Sequence, residues 1–100
     1  MKVKLHWRND LTITYYLRED GFALSSPNSL GNFSSLEEAA RIRAKTMLNI
    51  YKWSICESCF IGDQVWLKFH DLSGRDPASV AVLSEATEEE IKQIKHKAAL

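Results

Sequence analysis

The first eight residues alternate strictly. Val3, Leu5 and Trp7 fall on one side of a two-residue period, and Lys2, Lys4, His6 and Arg8 fall on the other. This predicts a strand with an apolar row on one face and a basic row on the opposite face. A second strand is expected from Thr12 to Arg18, with Ile13, Tyr15 and Leu17 sharing a face. Matching of rows selects the register. A two-residue turn at Asn9-Asp10 would set His6 against Ile13 and Lys4 against Tyr15, mixing the faces. A three-residue loop, Asn9-Asp10-Leu11, sets Trp7 against Ile13, Leu5 against Tyr15 and Val3 against Leu17, and is preferred. The outer face then carries Lys2, Lys4, His6, Arg8, Thr12, Thr14, Tyr16 and Arg18.

Asp20-Gly21 is a hairpin turn signal, and a short third strand from Phe22 to Ser25 would place Leu24 opposite Leu17. Residues Ser25 to Asn32 read as loop by composition. Phe33-Ser-Ser-Leu-Glu-Glu38 then opens a helix. Ser34 with Glu37, or Ser35 with Glu38, makes a capping box, and Phe33 is placed as a hydrophobic staple. The helix is expected to reach Tyr51 or Lys52. Leu36, Ala39, Ala40, Met47, Ile50 and Tyr51 form its apolar stripe, which should cover the hairpin. Arg43 falls inside that stripe and is expected to snorkel from its rim; pairing with a buried acid or reaching a partner are the alternatives.

Trp53 to Phe60 reads as a helix end and turn leading into Gly62-Asp63. Gln64 to His70 is a strand with Val65, Leu67 and Phe69 on one face and Trp66, Lys68 and His70 on the other. Ser79 to Ser84 is a further short strand. Thr87 and Glu90 open a last helix over about 87–99, with Ile91, Ile94 and Ala98 as a narrow stripe and charges that suit the helix dipole. The order β-β-(β)-α-β-β-α predicts one α+β domain over residues 1–100. It is a small two-layer domain, a mostly antiparallel sheet with helices packed on one face. How the two halves of the sheet join is not readable.

Composition narrows the functions. The 100 residues are 45% apolar, enough for one small core. Thirteen basic and thirteen acidic residues give zero net charge. That disfavours both a wholesale nucleic-acid binder and a strongly acidic nucleic-acid mimic, and leaves only local charge arguments. No run approaches the roughly 18 apolar residues of a membrane span, and no apolar block follows the N-terminal lysines as in a secretory signal. A cytoplasmic protein with no membrane partner is expected.

No constellation carries catalysis. His6, His70 and His96 are not spaced as a set, no glycine-rich phosphate loop follows a strand, and no nucleophile–base pair can be proposed. The expectation is not an enzyme, with no cofactor. Cys56-Glu-Ser-Cys59 follows a helix, where the dipole disfavours a thiolate. Cys56, Cys59, His70 and His6 are the one set that could be considered for zinc, but His6 belongs to the outer hairpin face. The preferred reading is free thiols, buried or half-buried beside the core.

Two surfaces remain. Trp53 and Ile42 lie off the main helical stripe and Trp66 faces away from Val65 and Leu67. With Arg43 they are the candidate protein interface, since such side chains are favoured there. The basic row, Lys2, Lys4, His6, Arg8 and Arg18 with Tyr16 as a stacking platform, is the candidate nucleic-acid surface. The segment Phe33-Ser-Ser-Leu-Glu-Glu-Ala39 after a β-meander resembles the β-β-β-α opening of several small modules, some binding DNA through the sheet and others binding proteins. The size and the lack of catalytic motifs also resemble accessory proteins of phages and mobile elements, many of which inhibit host machinery by surface contact. The expected function is a non-enzymatic protein-binding module, an inhibitor or adaptor acting on a larger complex. A nucleic-acid binder is the alternative, and a zinc- or thiol-dependent protein comes third. The expected partner is a protein, with a homodimer compatible.

Overall fold

Strands β1 (Val3–Trp7), β2 (Asp10–Leu17) and β3 (Ala23–Leu24) open the chain in the computed structural model, which describes residues 1–99, the side chains of Ser29 and residues 94–99 excepted. Helix α1 (Leu36–Thr46) continues as a π-helical turn over Met47–Tyr51. Strands β4 (Trp53–Ile61), β5 (Gln64–Asp71) and β6 (Ser79–Glu85) come next, then helix α2 (Glu88–Ala99). The six strands form one antiparallel sheet in the order β3-β2-β1-β6-β5-β4. The halves therefore join through the first and last strands, with Val3 opposite Glu85 and Trp7 opposite Ala81. The α+β class holds, with one more strand than expected. Among the described residues, no helix is long and apolar enough to cross a membrane.

Strand alternation builds the core. Val3 and Leu5 from β1, Leu17 from β2, Val65, Leu67 and Phe69 from β5, and Ala81 and Leu83 from β6 are all buried on the α1 face. Ala39 and Ala40 of α1 and Met47 of the π turn close over them. Small residues at 39 and 40 let the helix lie close to the sheet. α2 does not join this layer. Its first turn meets the opposite face, where Ile91 packs with Tyr16 and Ala86, and Glu90 accepts a 2.7 Å ion-paired hydrogen bond from Lys4 Nζ. The stripe positions Ile94 and Ala98, and His96, lie outside the described residues.

The hairpin register is partly as expected. Leu5 does face Tyr15, but Trp7 faces Asp10 rather than Ile13, because the turn tightens to Arg8-Asn9 and the ladder shifts between Leu5 and Trp7. The Asp10 carboxylate supplies the local reason: it accepts from the Thr12 N–H at 3.1 Å and from Thr12 Oγ1 at 2.6 Å, which holds the start of β2 next to the turn. Ile13 is consequently 40% exposed. Trp7 packs its edge against Trp53 and Phe69 instead. At β3 the register slips by one, so Leu24 faces Tyr16 and Ala23 faces Leu17.

Ser35 is the N-cap of α1 and accepts from the Glu38 N–H. Glu38 reaches back to Ser34, accepting from its N–H at 2.6 Å and its Oγ at 2.5 Å. The expected stripe holds through Met47 and then fails. The wider π turn rotates the last residues, and Ile50 and Tyr51 end exposed. Lys52, at φ 61°, ends the helix in the left-handed region. The chain then enters the nine-residue strand β4, not the expected helix end and turn.

Carboxylate hydrogen bonding has a pH consequence. Side-chain and then backbone donors at Ser34 hold the Glu38 carboxyl below its usual range, and those at Ser73 do the same for Asp71. A folded-state pKa below the unfolded value gives stability that is present above the unfolded pKa and lost as pH falls through the folded one. The urea midpoint is expected to stay level from about pH 7 to about pH 5 and to fall below about pH 4. Glu38→Gln should make that fall shallower, and an unchanged slope would remove Glu38 from the account.

Candidate functional site

β4 is an edge strand with an unpaired side along its whole length. Its sequence, Trp-Ser-Ile-Cys-Glu-Ser-Cys-Phe-Ile, is rich in aromatic and β-branched residues and contains one charge, Glu57. It is held by β5 alone, with Ile55 opposite Phe69, Glu57 opposite Lys68, Ser58 opposite Leu67, Cys59 opposite Trp66 and Phe60 opposite Val65. The ladder shifts between Ile55 and Glu57, which makes Cys56 the extra residue of a bulge. Its Sγ lies 3.4 Å from the Lys68 carbonyl.

The turn between β4 and β5 is Gly62-Asp63. Gly62 has φ 61° and Asp63 does not share the positive φ, as a type II′ turn requires. Ile61 and Gln64 close this two-residue turn and exchange backbone hydrogen bonds with each other. By the alternation of an antiparallel ladder, the backbone groups of Phe60 and Ser58 then point off the sheet. Phe60 is 62% exposed and Ile61 50%.

Beside the edge runs a groove of about 300 Å³ between α1 and the sheet. Ala40 and Ala44 form its helix wall, Ile55 and Phe60 its outer rim and Val65 and Leu67 its floor, with Glu37 and Arg41 at the helix margin. The groove exists because α1 lies over the interior of the sheet and presents alanines, not long apolar side chains, toward β4. The opposite edge is covered at one end only: β3 pairs with Tyr16 and Leu17 of β2, and the Gly31 N–H donates to the Leu17 carbonyl, while Asp10–Tyr15 of β2 has no β3 partner.

The expected interface residues do not form one surface. Arg43 is only 6% exposed and neither snorkels nor meets an acid; its Nη1 donates to the Gly21 carbonyl at 2.9 Å and its Nε has no partner. Burial pushes the guanidinium pKa below its ordinary value. Trp53 and Ile42 are partly buried against the core. Trp66 lies on the other face, half-buried, with the Arg8 guanidinium 5.5 Å from its ring centroid and its Nε1 donating to Gln64 Oε1.

The basic row is likewise not a free cationic face. Lys4 is paired with Glu90, Arg18 with Asp20 at 2.8 Å, and Arg8 sits over Trp66. Tyr16, at 4% exposed, is covered and cannot stack on a base; burial and Glu90 raise its pKa. His6 lines an open cleft with Lys4, Thr14, Tyr16 and Glu90, and Lys2 is half-buried near the sheet end, where its carbonyl accepts from the Ala86 N–H. Nor do the cysteines and histidines gather. Cys59 faces Trp66, His70 faces Ser54 and His6 faces Val82. Among the described residues, no group of three His, Cys, Asp or Glu is placed to hold a metal. Both thiols are exposed, not half-buried, because the segment carrying them is an edge strand.

No family model, curated protein or solved structure matches the chain. The edge residues Ser58, Phe60 and Ile61 were missed from sequence. The available signal was the β-rich composition of residues 53–61 directly before a Gly-Asp turn and a second strand of similar length.

Proposed function

We propose that this chain is a non-enzymatic protein-binding module that engages an extended polypeptide segment along the free edge of β4. The observation that supports this is a long, nearly uncharged edge strand with exposed Phe60 and Ile61, flanked by an apolar groove. A strand added there would gain main-chain hydrogen bonds from Ser58 and Phe60, and its alternate side chains would enter the groove beside Ala40 and Ala44. A long apolar edge left open is otherwise an aggregation hazard, which natural sheets suppress with Lys, Pro, a bulge or a cover; of these β4 carries the bulge at Cys56 and neither Lys nor Pro. Such a surface suits an inhibitor or adaptor that caps an exposed strand on a larger complex.

The test is affinity capture from an extract of the source cells, with and without nuclease. Wild type is compared with Phe60→Lys, Ser58→Pro and Lys4→Glu. Position 58 tolerates Pro within the β4–β5 ladder because its N–H points outward. The expected result is a protein band that survives nuclease and Lys4→Glu and disappears with both edge variants. Recovery of nucleic acid alone, lost with Lys4→Glu, would defeat the reading.

A further inference from the structure

The chemistry of the β4 edge is self-complementary, and we infer that its occupant is the same edge of a second copy, paired antiparallel about a two-fold axis at Cys59. This rests on the proposed role of β4 and names its resting occupant, which a strand of another protein would have to displace. Only registers that set outward-pointing residues against outward-pointing residues can hydrogen-bond. In the regular stretch after the Cys56 bulge those are Ser58 and Phe60. A register between residues, such as Ser58 against Cys59, is therefore excluded, and the axis must pass through a residue.

Four residues are available. An axis at Glu57 sets two carboxylates face to face, which is unfavourable. An axis at Ser58 brings Phe60 against the bulged Cys56 of the second copy, where the ladder is broken. An axis at Phe60 runs Ser58 into the Gly62 turn. An axis at Cys59 sets Ser58 against Phe60 of the second copy twice over, and Glu57 against its Ile61. Both outward-pointing residues, Ser58 and Phe60, are then used and no like charges meet.

The surroundings fit the same operation. A two-fold axis normal to the sheet leaves both α1 helices on one face and antiparallel. Each presents Glu37 and Arg41, one turn apart, along the groove margin. The two exposed Phe60 rings become diagonal neighbours on that face, within the reach of aromatic side chains. The result is one continuous sheet with no open β4 edge.

Cys59 provides the probe. Its pair would be the non-hydrogen-bonded pair on the axis, with Cα atoms about 4.5 Å apart, at the short end of the range a disulfide spans. Under diamide, two thiols lose two protons and two electrons to the azo group, giving one disulfide and a hydrazine. Sedimentation equilibrium is run on the reduced full chain, with trapping in parallel. The expected result is a wild-type dimer that diamide locks through Cys59. Cys56→Ser still locks, Cys59→Ser does not, and Phe60→Lys weakens the dimer about thirty-fold or more. Ser58→Pro should also give monomer, and an unchanged far-ultraviolet spectrum will confirm that both variants fold.

A wild-type chain that stays monomeric throughout the concentration series would overturn the second-copy occupant. So would a dimer insensitive to both edge variants, and a lock through Cys56 would overturn the register. None of these decides whether β4 binds another protein, which the capture experiment reads independently through the same variants.

Discussion

Phe69→Ala is expected to lower the unfolding free energy by about 3–5 kcal/mol, the range for truncating a fully buried aromatic. For a domain of this size that corresponds to a fall in Tm of about 15–30 °C. Phe69 is completely buried on β5, beneath α1. Its ring meets Trp7 edge-on with centroids 6.2 Å apart, and Trp7 meets Trp53 at the same separation. It also sits opposite Ile55 on β4 and Ser79 on β6. Its removal leaves a cavity where three strands and a tryptophan pair converge, and the rigid neighbours cannot collapse into it. Phe60→Ala is the matched control. The same substitution on the adjacent strand, at an exposed position, should change stability by no more than about 0.5 kcal/mol. Urea denaturation of both variants checks this. A cost for Phe69→Ala below about 1 kcal/mol would mean the edge-to-face Phe69–Trp7–Trp53 cluster is not the centre of the core. The contrast also separates the core from the proposed binding edge: Phe69 supports β4 from behind, and Phe60 is exposed on it.

Where the residue pattern followed one period, the fold was legible. Val3, Leu5 and Leu17, then Val65, Leu67 and Phe69, alternate into the core as their spacing predicts. The Ser35–Glu38 cap was legible because its hydrogen bonds are local. Long-range geometry was not. Nothing near Lys4 indicates that Glu90, eighty-six residues later, will neutralise it, or that α2 will cover Tyr16. The basic row therefore looked open in the sequence and is mostly paired in the fold. Ile50 and Tyr51 were misplaced because a π turn breaks the angular count of an α-helix. β4 was missed for a related reason. Its bulge at Cys56 interrupts the two-residue alternation, and its position at an edge leaves residues such as Phe60 exposed where a strand pattern would bury them. Of the two irregularities that hid β4 from periodicity, the exposed apolar residues are the feature on which its proposed role rests.

Gly21→Ala is expected to cost about 2–4 kcal/mol, more than backbone strain alone supplies. Gly21 has φ +88°, and a Cβ there would stand 2.1 Å from Thr46 Oγ1 and 2.9 Å from the Ile42 carbonyl oxygen. The closeness is functional to the packing. Thr46 Oγ1 donates to the Asp20 carbonyl at 2.6 Å and Arg43 Nη1 donates to the Gly21 carbonyl at 2.9 Å, so the Asp20-Gly21 turn is clamped against the end of α1. This is the use the fold makes of Arg43. A buried guanidinium is costly unless it is hydrogen-bonded, and here one carbonyl of a turn supplies the bond. Gly74→Ala is the control for strain. It has φ +72° with nothing within 4 Å, so it should cost only about 1–2 kcal/mol. Adding Thr46→Ala to Gly21→Ala removes the nearest clash, and the double variant should be more stable than the sum of the singles predicts. The clamp holds Arg43 and Thr46 at the end of the helix whose Ala40 and Ala44 line the groove, so a displaced turn is expected to shift that wall. Binding by Gly21→Ala, measured where the variant remains folded, should therefore fall while binding by Gly74→Ala does not. Equal costs for the two glycine variants in urea would show that the turn is not clamped and that the groove is set by α1 packing alone.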